Sequence, residues 1–190
     1  SLEAQNYLPL LTGNAAIAIE RGMMNREMIL RMVKMAELRD PTETGAHVQR
    51  VGAYSAELYQ QWAQNKGMDA KEMKRGRDLI RLASMLHDVG KVGIPDHILK
   101  KPDKLTKEEF DTLKWHTVYG GRLFINQTSD LDVMSLDIAL NHHEKWNGGG
   151  YPGDIPDLHQ SSIRMGLPKK ELEIPLFARI VAIADVYDAL

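Results

Sequence analysis

The chain has 190 residues, enough for one domain with a full core, and its formal net charge of −2 excludes a global basic field able to hold a long nucleic acid by its phosphates. The absence of cysteine excludes disulfides, thiolate metal sites and cysteine nucleophiles, leaves histidine and carboxylate as the strong ligands, and fits a reducing cytoplasm. The opening SLEAQNYLPL lacks a basic leader and apolar runs such as Ala15 to Ile19 are too short to span a bilayer, so no membrane contact is expected from these residues.

Helical periodicity dominates and no convincing alternating strand is found, so the expected fold class is all-α. Leu8 to Arg21 reads as one helix, interrupted at Gly22, and Met23 to Arg39 as a second, with Met28, Met32, Met35 and Leu38 in an apolar stripe that Asp40-Pro41 ends. Thr42 is the expected N-cap of the next helix, on which Glu43, His47, Arg50, Val51 and Tyr54 share a face. Lys71 to Leu86 is amphipathic and delivers His87-Asp88 at its C-terminal end, where Val89-Gly90 breaks the pattern. Thr106 to Glu109 matches a capping box opening a helix that carries Phe110, Leu113, His116 and Thr117. Leu131 to Leu140 is the next helix, with His142-His143 at its exit. The loop Asn147 to Gly153 is too rich in glycine to be regular, and Asp154 to Glu173 reads as a long connection. A last helix, Leu176 to Leu190, carries Asp185 on a strongly apolar background.

Eight side chains with metal-ligating chemistry are scattered over these helices: Glu43, His47, His87, Asp88, His116, His142, His143 and Asp185. Each has an ordinary explanation when taken alone. Glu43 and His47, four apart, are a common surface pair; His87-Asp88 could be a solvent-facing helix end; His116 could be a hydrogen-bonded core histidine. Asp185 among Ile180, Val181, Ala182, Ile183, Ala184 and Val186 is the hardest to dismiss, because an unpaired carboxylate there would be strongly disfavoured, and the nearby Arg179 is not on the same face. Eight nitrogen and oxygen donors exceed the four of one tetrahedral site and suit iron, manganese, zinc or nickel. Two divalent ions can lower the pKa of a shared water and stabilise entering and leaving oxygens, so the set points to hydrolysis of a phosphate ester.

His87-Asp88-Val89-Gly90-Lys91, together with His142-His143-Glu144 and Gly150-Tyr151-Pro152, resembles the HD-GYP domain, a branch of the HD phosphohydrolases; the resemblance runs from about Met28 to Leu190. It implies an HD-type helical bundle around a multinuclear metal site, and hydrolysis of the bacterial second messenger cyclic di-GMP to pGpG or GMP by two or three divalent ions, commonly iron or manganese. Carried over residue by residue, the seven positions from His47 to Asp185 would be ligands, with Asp88 bridging and Glu43 completing a third site. Asp88 and Lys91 would be the catalytic pair, Lys91 contacting the scissile phosphate. The loop Gly150, Tyr151 and Pro152 would shape the rim of a substrate site. His97 and His159 match no family position.

The resemblance also sets the expected organisation: residues 1–25 as the closing helix of an upstream GAF-like sensor domain with its linker, and 26–190 as the phosphodiesterase domain. The chain begins with serine and stops where the family usually continues into a basic Thr-Ser-x-Arg-Pro-Tyr segment, so it reads as a piece of a longer protein. The helix before the domain could pair with its twin in a homodimer. Three alternative readings stand beside cyclic di-GMP hydrolysis: a phosphodiesterase for cyclic GMP-AMP, a broader HD-type nucleotide phosphohydrolase, and a non-catalytic cyclic dinucleotide sensor.

Overall fold

Eight α-helices and three short 3₁₀ helices form the regular structure of residues 2–39 and 45–190, which the computed structural model describes, and no strand occurs among them. Helix α1 (Leu2–Glu37) runs straight through Gly22. The expected interruption there does not occur: one exposed glycine costs a helix only about 1 kcal/mol, too little to outweigh the hydrogen bonds that continue on both sides. Residues 12–24 of α1 that bear described side chains are exposed throughout, and burial begins at Ile29 and Val33. The expected stop at Asp40-Pro41 and the expected cap Thr42 lie outside the described residues.

Helix α2 (Gly45–Asn65) buries Val48, Val51, Ser55, Ala56, Tyr59 and Ala63 along a face of three-to-four spacing. It closes at Gly67, whose φ of 66° lets Met68 N donate to Ala63 O and Gly67 N to Gln64 O. Asp69 then caps α3 (Ala70–Ala83) by accepting from the amides of Lys71 and Glu72. A 3₁₀ turn, Ser84–Leu86, leads into His87 and Asp88, and a second one, Val89–Gly93, follows them. The α-helical pattern is therefore broken before Val89-Gly90, as expected, and these residues open a separate 3₁₀ turn.

Gly90 serves close packing. A Cβ there would lie 1.9 Å from His116 O and 2.3 Å from Gly120 N, so only glycine lets this turn press onto the backbone of α6 (His116–Leu123). Helix α4 (Asp96–Leu99) is a single turn. The predicted capping box of Thr106 and Glu109 is present and opens α5 (Lys107–Leu113). One helix was expected from there through Thr117; instead Lys114 and Trp115 separate α5 from α6, and His116 starts the second piece.

Ser129 caps α7 (Asp130–Asn141), which ends at His142, and α8 (Leu176–Asp188) begins after Pro175. Helix α2 packs on α3 and α8, and α7 packs on α3, α6 and α8. Val51, Ala56, Ala63, Ile80, Ala83, Ile138, Val181 and Ala184 form the main core where α2, α3, α7 and α8 meet. Full burial of each larger aliphatic side chain contributes roughly 1.5–3 kcal/mol. A second cluster joins Ile29 and Val33 of α1 to Val48, Met85, Leu86 and Val89, under the turns that carry His87 and Asp88. No helix among the described residues is long and apolar enough to cross a membrane.

Candidate metal centre

Seven of the eight expected ligands converge in two groups. Asp88, His116, His142 and His143 form one, and His47, His87 and Asp185 the other; within each, one ligand atom from every residue lies within 4.8 Å of the rest. Glu43 lies outside the described residues. His97 and His159 belong to neither group.

Helix ends produce this convergence. Asp88 follows the Ser84–Leu86 turn, His116 begins α6, His142 and His143 leave α7, and His47 and Asp185 come from adjacent faces of α2 and α8. Asp88 reaches both groups: its Oδ1 is 3.1 Å from His116 Nε2 and 3.4 Å from His142 Nε2, while its Oδ2 is 3.4 Å from His87 Nε2. Asp185 Oδ1 is 3.3 Å from His47 Nε2 and 3.8 Å from His87 Nε2.

The outer nitrogens orient the rings. His87 Nδ1 lies 2.7 Å from Ser84 O, His116 Nδ1 2.7 Å from Leu113 O, and His142 Nδ1 3.1 Å from Ile138 O. A carbonyl only accepts, so each Nδ1 carries the hydrogen and each Nε2 turns a lone pair inward. Nε2 of His116 and His142 then face each other at 3.5 Å beside Asp88 Oδ1. In that tautomer three acceptors converge on one point, which a shared cation would satisfy, and the oxygen and nitrogen donors match a first-row divalent ion. The residues therefore fit a metal site of the expected kind.

Electrostatics agree with ligation. Burial drives His142 and His143 below the ordinary imidazole range, so both are neutral near pH 7. Burial alone would raise the Asp88 carboxyl, but the Lys91 ammonium leads a set of neighbours that hold it well below the usual carboxylate range. Lys91 Nζ is 2.7 Å from Asp88 Oδ2. Asp185 is also lowered: its burial is outweighed, first of all by its contact with His47. Arg179, the alternative partner considered for Asp185, instead lies over the Trp146 ring, 5.7 Å from its centroid.

The two groups open into a cavity of about 520 Å³, walled by Arg50, Lys91, Phe110, Leu113, Tyr151 and Asp188 besides the ligand side chains. The Tyr151 ring stacks on His143 at 4.8 Å between centroids, and Lys114 Nζ sits 5.0 Å from the Phe110 centroid and 5.7 Å from that of Tyr151. Pro152 follows a cis peptide bond and is buried beneath the rim. Gly150 is forced: a Cβ there would lie 2.4 Å from Glu144 Cα.

Glu144, Asn141 and Asp188, to which the sequence alone assigns no role, also contribute. Glu144 is buried, its Oε1 accepting from Gly153 N at 2.6 Å and its Oε2 from Lys169 N at 3.1 Å. Lys169 Nζ also donates to Asn141 Oδ1, so the connection between Pro152 and Pro175 is tied to the centre at this point. Asp188 accepts from Arg50 and contacts His47. Its spacing of three from Asp185 on α8 was the available signal.

The sequence pattern of the HD domain family matches residues 44–190. The chain is 39% identical over 163 residues to a cyclic di-GMP phosphodiesterase of Thermotoga maritima, covering 85% of this chain and 38% of that protein. It is 40% identical over 167 residues to a cyclic di-GMP phosphodiesterase of Vibrio cholerae, covering 85% and 31%. Against the 3′3′-cGAMP-specific phosphodiesterase 2 of Vibrio cholerae it is 37% identical over 177 residues, covering 93% and 30%. The chain thus spans well under half the length of these curated relatives.

Proposed function

This chain belongs to the HD domain family, in its HD-GYP branch, and we propose that it hydrolyses a cyclic dinucleotide, cyclic di-GMP in the first instance, to linear pGpG and onward to GMP. The observation that carries this reading is Asp88, whose two oxygens face separate histidine groups across one open cavity. His116, His142 and His143 would hold one divalent ion and His47, His87 and Asp185 a second, with Asp88 shared; Glu43 would serve a third, and iron or manganese suits the donors. When bound, such ions supply an activated water and neutralise charge on the phosphate.

The protein's own groups do the rest. Lys91 stands at the cavity wall, where its ammonium can meet a non-bridging phosphate oxygen and stabilise the charge that develops there. Asp88, held ionised, keeps Lys91 directed inward. Tyr151 packs on His143 and, with Phe110 and Leu113, gives one side of the cavity an apolar wall suited to a purine face. Water adding across the P–O3′ bond leaves a 5′-phosphate and a free 3′-hydroxyl, and the linear dinucleotide follows.

A second substrate is favoured by a specific observation: a relative of similar identity bears the name of a 3′3′-cGAMP-specific phosphodiesterase. Anaerobic purification with metal quantification, followed by parallel assays on cyclic di-GMP and 3′3′-cGAMP, tests both. At least two ions per chain and pGpG formation are expected. Bound metal with turnover of neither messenger would overturn the enzymatic reading and leave a sensor.

A further inference from the structure

Arg39, the last described residue beyond α1, reaches across to the turn that carries Lys91. Its guanidinium donates to the carbonyls of Val92 and Ile94, the latter at 3.2 Å, and its Nη2 lies 2.7 Å from Asp96 Oδ1. These acceptors sit 53 to 57 positions away in sequence, at the closing end of the Val89–Gly93 turn. A planar fork satisfying carbonyls and a carboxylate at once fixes backbone position in a way an ammonium cannot.

The opposite side of that turn is already clamped. Gly90 lies against the backbone of His116 and Gly120, and Gly93 against the ring of Tyr119. Within the turn, Lys91 N donates to Asp88 O at 2.9 Å and Ile94 N to Lys91 O at 3.0 Å. Asp88, Lys91 and the carbonyls held by Arg39 therefore share one short hydrogen-bonded segment. Just before Arg39, Ile29 and Val33 of α1 pack on Met85, Leu86 and Val89, while residues 12–24 stand exposed. The arm of α1 meets the body through its final turns and through this guanidinium.

We propose that Arg39 is a positioning residue for the reaction centre: it holds the Val89–Gly93 turn so that Lys91 and Asp88 keep their register, and it makes that register depend on where α1 lies. The part played by Lys91 at a phosphate rests on the function proposed above; the hold on the turn does not.

The test compares metal-loaded wild type with Arg39→Gln, Arg39→Lys and Arg39→Ala, reading hydrogen exchange over residues 86–95, metal content, melting temperature, and kcat and KM for cyclic di-GMP. In Arg39→Gln, faster exchange confined to that segment is expected, with metal content and melting temperature retained. The same variant should lose about 10- to 100-fold in kcat with KM within about twofold, as displacement of a catalytic group does. Arg39→Lys should recover little, and added guanidinium should restore part of the rate of Arg39→Ala. Unchanged exchange in the segment, or loss of activity only in step with loss of metal or global stability, would overturn the proposal. If wild type turns over neither messenger, the proposed function fails while the exchange measurement still decides the role of Arg39.

Discussion

Asp188 Oδ2 lies 2.7 Å from Nδ1 of His47. The other oxygen of Asp188 accepts from Arg50 Nε at 2.6 Å, and Arg50, with His47 assisting, lowers the Asp188 carboxyl to about 2. Asp188 is thus ionised at any working pH and holds His47 with Nε2 toward Asp185. A carboxylate behind a ligating imidazole fixes its orientation and raises its basicity. Asp188→Ala should weaken metal binding about 10- to 100-fold while leaving helical content intact. Competition with a chelator of known affinity measures this; unchanged affinity would show that His47 needs no such support.

Asp88 faces both candidate ligand groups, so its removal should cost more than that of any single histidine. Asp88→Ala is expected to abolish metal-dependent turnover with the fold mostly retained. Metal added to wild type should raise its melting temperature by mass action on the folded state, and the rise should shrink sharply in the variant. A full metal-induced shift in Asp88→Ala, read by calorimetry, would contradict a shared ligand.

Glu144→Ala should disturb the rim of the cavity. It leaves the amides of Gly153 and Lys169 without their carboxylate, at about 1–3 kcal/mol for each group that stays buried. The segment Gly150 to Gly153 then loses its tie, and Tyr151 its fixed position on His143. Expected results are a lower melting temperature and a raised KM with metal content preserved. Glu144→Gln, which keeps one acceptor, should fall between; equality of all three proteins in KM would remove the link.

The start of α7 offers a pH prediction distant from the metal groups. Burial would raise the Asp132 carboxyl, but hydrogen bonds from Thr128 and Ser129 outweigh it and the net shift is downward. A carboxyl lowered in the folded state stabilises above its unfolded pKa of about 3.9, and that contribution is lost as pH falls through the folded value. Wild type should therefore exceed Asp132→Ala by about 1 kcal/mol at pH 7, and the difference should shrink below pH 4. Denaturant unfolding at several pH values measures it, and a difference that grows with acidity would reverse the assignment.

Much of the architecture was legible because it depends on local chemistry. The capping box of Thr106 and Glu109 requires only residues three apart, and its two hydrogen bonds form as the sequence implies. The candidate ligands stood out because imidazoles and carboxylates at the ends of apolar helices need a compensating partner. Gly22 misled because glycine is a weak local signal that neighbouring turns override. The separation of α5 from α6 escaped because Lys114 and Trp115 are ordinary helix residues; it coincides with His116 turning inward against Asp88.

The sequence by itself determined an all-helical chain, the helix faces that become core, and the residue types able to hold divalent metal, since these follow from periodicity and donor chemistry. Tertiary structure alone decided that Asp88 divides its oxygens between two histidine groups, and that Asp188 meets His47 across 141 positions. It also decided that Arg39 closes on the turn bearing Lys91. Such pairings depend on the angles at which α1, α2 and α8 cross the core, and those angles are set by packing of the whole interior, which no local stretch of sequence contains.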